Sequence, residues 1–204
     1  MKLFYSPGSC SLGIHALLEE IGQPFELALV DLKSGAHFKA EYGAINPKAT
    51  VPALQRDDGT ILTEWQAIAW YLAKSNPALE LLPADLEGEV RTLELLDYMV
   101  ATVHMRGFSR IFRARNFTPT TADEPAVVQT GQDVVAHGFK LLDQILGPRA
   151  YLLGDFSIAD AALFYLEHWA VALSLPVPPG LAGHYARLRQ RPAFTRALAT
   201  EGLV

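Results

Sequence analysis

The chain has one cysteine, Cys10, in the stretch Ser6-Pro7-Gly8-Ser9-Cys10-Ser11-Leu12. A short apolar run (Leu3, Phe4, Tyr5) precedes it and an amphipathic one (Ile14, Leu17, Leu18, Ile21) follows. That order predicts a strand, a tight turn and a helix start. The first N–H groups of a helix lack intrahelical partners and carry about +0.5 charge. A thiolate placed there is stabilised, so its pKa falls and it becomes a nucleophile near neutral pH. The competing role for Cys10 is that of a small buried hydrophobe. Pro7-Gly8 and the flanking serines favour an exposed thiol.

Three more places carry candidate chemistry. Thr63-Glu64-Trp65-Gln66 fits a capping box at a helix start, with Thr63 as cap. Glu64 there either complements the helix dipole or forms half of a paired device. In the second case the N–H groups of Trp65 and Gln66 take a carboxylate and Glu64 takes an ammonium, as an α-amino acid head group requires. His104 lies mid-helix and is a candidate for ordinary packing or for catalysis. Arg106, Arg110 and Arg113 follow at i, i+4 and i+7, a solvated basic stripe or a face that draws an anion. His15 and His168 read as structural. Val51-Pro52 precedes a predicted strand, and the default for its bond is trans. CxxC, phosphate-loop, dinucleotide-glycine and metal-spaced Cys/His patterns are all missing, so neither a two-cysteine redox cycle nor a metal is expected.

The elements that must position these residues are readable. Residues 2–5, 11–21 and 25–30 predict β-α-β, hence a parallel pair with a right-handed crossover. Residues 53–55 and 60–62 flank Asp57-Asp58-Gly59 as a hairpin, and a helix follows to about residue 75. Past Asn76-Pro77 no strand is evident. Helices are expected over 87–113, 126–146, 158–174, 181–190 and 193–200, with a loop over 117–125. Ser157-Ile158-Ala159-Asp160 gives the third of these helices, 158–174, a good N-terminal signature. The expected division is an α/β domain over 1–76, a linker over 77–86 and an all-α domain over 87–204.

Composition narrows the function. Of 204 residues, 50% are hydrophobic, enough for a sizeable core, and the net charge of −5 speaks against nucleic acid as partner. A lone cysteine allows no internal disulfide, which suits a reducing, cytoplasmic compartment, and leaves open a mixed disulfide with a small thiol. The N-terminus does not read as a signal peptide, and residues 158–175 are too interrupted by charge for a membrane span.

Together these residues resemble the bacterial beta-class glutathione transferases. The likeness rests on residues 1–12, Asn46-Pro47-Lys48, Val51-Pro52-Ala53-Leu54, Leu62-Thr63-Glu64, residues 154–161 and the closing Glu201-Gly202-Leu203, so it spans the chain. It implies a thioredoxin-like N-terminal domain, an all-helical C-terminal domain, and a homodimer acting in detoxification with glutathione as co-substrate. It implies a cis Val51-Pro52 bond, with the Val51 backbone pairing with the cysteinyl unit of glutathione. Glu64 and Trp65 would hold the γ-glutamyl head, joined by Asp97 across the dimer. Cys10 would face the glutathione sulfur, with His104 near it. Lys33 stands closest to a family lysine whose position is Gly35 here; Trp65 replaces a common serine and Met105 a common lysine. The Arg106/Arg110/Arg113 face is a candidate for making up those contacts. Phe108 and Phe112 are the candidate walls of a pocket for small hydrophobic electrophiles. The implied activity is conjugation of glutathione to such electrophiles. The alternatives are thiol–disulfide reduction through a Cys10 mixed disulfide, or a non-catalytic binding protein on the same fold.

Overall fold

A computed structural model describes all 204 residues, in two compact units: residues 1–82 with 187–204, and residues 83–186. The first holds β1 (Lys2–Tyr5), α1 (Ser11–Ile21), β2 (Glu26–Leu29), the single turn α2 (Ala40–Gly43), β3 (Ala53–Gln55), β4 (Ile61–Thr63) and α3 (Trp65–Ser75). Its sheet has the order β2-β1-β3-β4. β1 and β2 are parallel, and the other two pairings are antiparallel. α1 supplies the crossover that a parallel pair needs. It ends at Gly22, whose φ of +71° lets its N–H reach back to Leu18. Leu12, Ile14, Leu17 and Leu18 of α1 and Ile68 and Leu72 of α3 are buried. A second cluster of Phe4, Val30, Tyr42, Val51 and Ala53 forms under the loop between β2 and β3.

The closing helix α9 (Pro192–Thr200) belongs to this unit, packed on α1. Arg191 pairs with Glu20 and Arg196 with Glu19. The packing thus groups 187–204 with the sheet, whereas the sequence places it at the end of the helical domain.

The second unit opens with α4 (Leu86–Asp97), capped by the Asp85 carboxylate accepting the Gly88 N–H. The helix continues through π-helical turns over Tyr98–Phe108, where the Ser109 N–H reaches the His104 carbonyl five residues back. It closes in the one-turn α5 (Ser109–Phe112). α6 (Glu124–Leu146) lies close against this segment through glycines. A Cβ on Gly131 would stand 2.8 Å from the Gly107 carbonyl, and one on Gly138 would stand 2.6 Å from Val103 Cγ2. Any side chain there would force the two helices apart. α7 (Ile158–Ala172) is buried along nearly its whole length, and its expected cap is present, with Ser157 and Asp160 bonded reciprocally. α8 (Pro179–Arg189) leads the chain back to the first unit. No helix is long and apolar enough to cross a membrane.

Three local expectations shift. Thr63 does not cap α3: it is the last residue of β4, paired with Ala53, so the chain leaves the sheet only at Glu64. The second hairpin strand lies one residue later than expected because the Asp58 carboxylate accepts the Thr60 N–H and keeps that residue in the turn. Pro125 falls inside α6, near its start, where its missing N–H costs nothing.

Candidate functional site

Cys10 sits where the β1–α1 turn becomes helix, with φ −59° and ψ −20°. The unpaired donors expected beside it are already taken. Ser9 does the capping: its hydroxyl accepts the Ser11 N–H at 3.2 Å and its carbonyl the Leu12 N–H at 3.0 Å. The cause is one residue of register, since Cys10 is already helical and Ser9 occupies the place before it. The partly buried thiol donates instead to the Val51 carbonyl at 3.3 Å, a contact that the neutral thiol makes and the thiolate cannot.

The turn is held from three sides. The Gly8 N–H donates to the Glu201 carboxylate at 2.8 Å, and the other oxygen of Glu201 lies 2.8 Å from His15 Nδ1. Trp65 is buried, and its indole N–H donates to the Cys10 carbonyl at 3.0 Å. Its side chain is therefore a strut beneath Cys10. Val51 is placed by the loop before it, where Tyr42 Oη–H and Asn46 Nδ2–H both donate to the Thr50 carbonyl, at 2.6 and 2.8 Å. The Val51-Pro52 bond is cis, as the resemblance implies and against the default for X–Pro.

Glu64 adopts φ +71° and ψ +129°, a left-handed conformation that strains a residue with a Cβ. Its exposed carboxylate already holds an ammonium, that of Lys48, at 2.7 Å, and Lys48 also donates to Thr63 Oγ1 at 2.9 Å. Lys48 is the residue that reasoning from motifs overlooked. It lies sixteen residues from Glu64, and no local spacing marks the pair. Lys33 is exposed, and its backbone N–H is tied to Asp31.

The helical unit holds the remaining candidates. His104 lies in the π-helical turns, its Nδ1 3.3 Å from the Tyr165 hydroxyl and its ring edge-to-face with Trp169 at 4.8 Å. Burial, with the Arg113 charge second, lowers its pKa to about 4, so the imidazole is neutral near pH 7. Phe108 is fully buried and backs Phe112, whose ring stacks on it at 6.0 Å and stands 48% exposed. Trp169 meets both phenylalanines edge-on at 5.2 Å. Asp97 is exposed at the end of α4. The arginines depart from one helical stripe. Arg106 and Arg110 follow each other on the helix, while Arg113 lies just past its end.

The chain's similarities run in one direction. Family models for the glutathione S-transferase N-terminal and C-terminal domains match residues 7–75 and 125–187. The chain is 39% identical to glutathione S-transferase GstA of Escherichia coli O157:H7 over 208 residues, covering all of both proteins. Among solved structures, it matches a bacterial beta-class glutathione S-transferase from Sphingomonas chungbukensis with a TM-score of 0.84 at 33% identity. A sphingomonad glutathione S-transferase complexed with glutathione matches with a TM-score of 0.84 at 34% identity. Both alignments cover 100% of each chain.

Proposed function

The chain belongs to the glutathione S-transferase family, and on that premise we propose that it conjugates the thiol of glutathione to small hydrophobic electrophiles. The observation that carries this reading is the convergence of Val51 and Trp65 on Cys10, one at its thiol and one at its carbonyl, beside a strained, exposed Glu64. The tripeptide's cysteinyl unit pairs with the Val51 backbone and takes over the carbonyl that the Cys10 thiol now occupies. Cys10 is thereby released to face the glutathione sulfur. The γ-glutamyl ammonium replaces Lys48 on Glu64, and Trp65 contributes backbone beside it. Lys33 and the displaced Lys48 are cations for the glutathione carboxylates. Asp97 of a second subunit completes the head-group site, which makes the working form a homodimer.

Residues 1–76 bind glutathione in this reading, 77–86 link, and 87–204 receive the electrophile and supply His104, with 187–204 serving as a brace for the first domain. Phe112, backed by Phe108, is the aromatic wall for the electrophile. The neutral His104 offers ring nitrogens that donate one hydrogen bond and accept another without bringing a charge to the site. The thiolate attacks, since it is the nucleophilic form. The proposed setting is cytoplasmic detoxification, and no metal takes part.

Calorimetry with glutathione, paired with conjugation of an aryl halide, tests the assignment. Wild type is expected to bind and turn over. Glu64→Gln removes a charge-assisted hydrogen bond worth about 1.5–3 kcal/mol, so glutathione should bind roughly 10- to 100-fold more weakly. A folded protein that neither binds glutathione nor turns over would overturn the proposal.

The thiol position favours a second reading, reduction of disulfides through a Cys10–glutathione mixed disulfide. Cys10→Ala separates the two. Conjugation that survives the substitution while disulfide reduction is lost assigns both activities and makes Cys10 essential only to the second.

A further inference from the structure

Between Asp97 and Asp123 the chain has four arginines, Arg106, Arg110, Arg113 and Arg115, and no acidic residue, although its net charge is −5. No carboxylate pairs with any of the four. Arg110 donates to the Arg106 carbonyl at 2.6 Å and lies with its guanidinium 4.7 Å over the half-exposed Phe117 ring. Arg115 donates to the Pro119 carbonyl at 2.8 Å. The side chains of Arg106 and Arg113 are exposed. Two other surface arginines do find acids: Arg91 takes Glu87 and Glu94, and Arg196 takes Glu19. Four unneutralised arginines thus cluster within ten residues at and just past the end of this one helix.

That set adjoins an aromatic face. Phe112 is the exposed member of a stack that runs back through Phe108 and Trp169 to His104, and Arg113 is its neighbour in the chain. The Arg113 charge is close enough to depress the titration of His104. A half-exposed apolar ring followed in the chain by an exposed, unneutralised arginine matches one ligand chemistry. An aryl ring gains by stacking on Phe112, and a carboxylate on that ring gains by pairing with a planar guanidinium. A neutral ring gains only the first. We propose that the preferred electrophile of this protein is an aromatic acid, held by its ring on Phe112 and by its carboxylate on Arg113 and Arg110. The inference rests on the transferase reading above and adds the acceptor's charge to it.

The test uses two probes that differ only in charge, a chloronitrobenzoate and its uncharged chloronitrobenzamide. In either, the glutathione sulfur attacks the chlorine-bearing carbon, a C–S bond forms, chloride leaves with the bonding pair, and the thiol proton passes to solvent. With rates corrected for the uncatalysed reaction of each probe, wild type should favour the acid in kcat/KM by roughly tenfold, the scale of one charge-assisted contact. Arg113→Gln and Arg110→Gln should each cut that acid-to-amide ratio severalfold through KM, and added salt should shrink it in wild type.

Equal use of the two probes by wild type overturns the inference. So does an unchanged ratio in both variants. A rise in the KM for glutathione with the ratio intact assigns the arginines to glutathione instead. Calorimetry of each probe without glutathione keeps the inference separable from the transferase reading. Arginine-dependent binding of the acid in a protein that conjugates nothing would sink that reading, and with it the acid's role as electrophile, while leaving the aromatic-acid site on Phe112 and the arginines; equal binding of acid and amide would sink this inference alone.

Discussion

Two histidines in the helical unit occupy opposite electrostatic worlds. His104 is surrounded by rings. Tyr165 offers a hydroxyl, Trp169 an edge, and the nearest charge of note is the like charge of Arg113. Its pKa falls to about 4. His184 is fully buried between two carboxylates, with Nδ1 2.9 Å from Glu167 and Nε2 3.1 Å from Asp160, and the Tyr151 ring packs edge-on against it. Burial pushes its pKa down as well, but Glu167 and Asp160 together outweigh that and hold it at about 9. The same side chain is thus kept neutral where the unit presents an open aromatic face, and charged where the unit is sealed. Partners decide the outcome, since burial acts in the same direction on both.

The largest expected difference is in stability. Removing His184 leaves Glu167 and Asp160 buried without their shared cation. Asp160 also accepts the Leu152 and Ser157 N–H groups, so the damage reaches the cap of α7. His184→Ala should cost about 3–5 kcal/mol in denaturant unfolding, the penalty for breaking a buried ionic set. His104→Ala leaves no charge stranded and should cost about 1–2 kcal/mol, the ordinary range for a packed side chain. Equal costs would erase the contrast.

Next in size is the pH dependence, and the two sites have opposite signs. His184 binds a proton on folding, so its contribution is fully present below the unfolded value near 6.5 and drains as pH rises through about 9. Glu167, pushed up to about 7 by burial against the pull of His184, acts in the same sense. His104 resists protonation when folded. Its contribution is present above pH 6.5 and is lost as pH falls toward 4. Unfolding free energies of wild type and His184→Gln, compared from pH 6 to 9, should converge as the pH rises. A gap that stays constant across that range would mean that His184 is uncharged in the fold.

Local signals were the legible ones. The Ser157–Asp160 cap acts across three residues, the β-α-β order follows from alternation and turn residues, and the helix over 87–113 matches its observed course to within a residue. The contacts that shape the sites are long-range: Lys48 to Glu64, His184 to Asp160, and Glu201 to His15 across 186 residues. No spacing rule connects such pairs. The left-handed Glu64 was equally hidden, because a strained residue with a side chain has no marker in its own type. The glycines Gly107, Gly131 and Gly138 were visible only as helix weakeners until the structure set two helices against each other. Cys10 was placed correctly at a helix start, but the donor accounting there needed to know that Ser9 caps it.

The smallest expected effect isolates charge from burial. Arg113 is exposed and contributes to the depression of His104 only after burial does, so solvent screens much of its influence. Arg113→Gln removes the like charge and leaves the ring's surroundings in place. The His104 titration, followed by the nitrogen and carbon shifts of its ring, should move upward by a fraction of a pH unit and stay well below the ordinary histidine value. His184, whose neighbours are Glu167, Asp160 and Tyr151, should not move at all. Raising the salt concentration in wild type should reproduce part of the same upward shift. A His104 that returned to the ordinary range in Arg113→Gln would mean that charge, and not enclosure by rings, keeps it neutral; the opposition between the two histidines would then be one of charge sign alone.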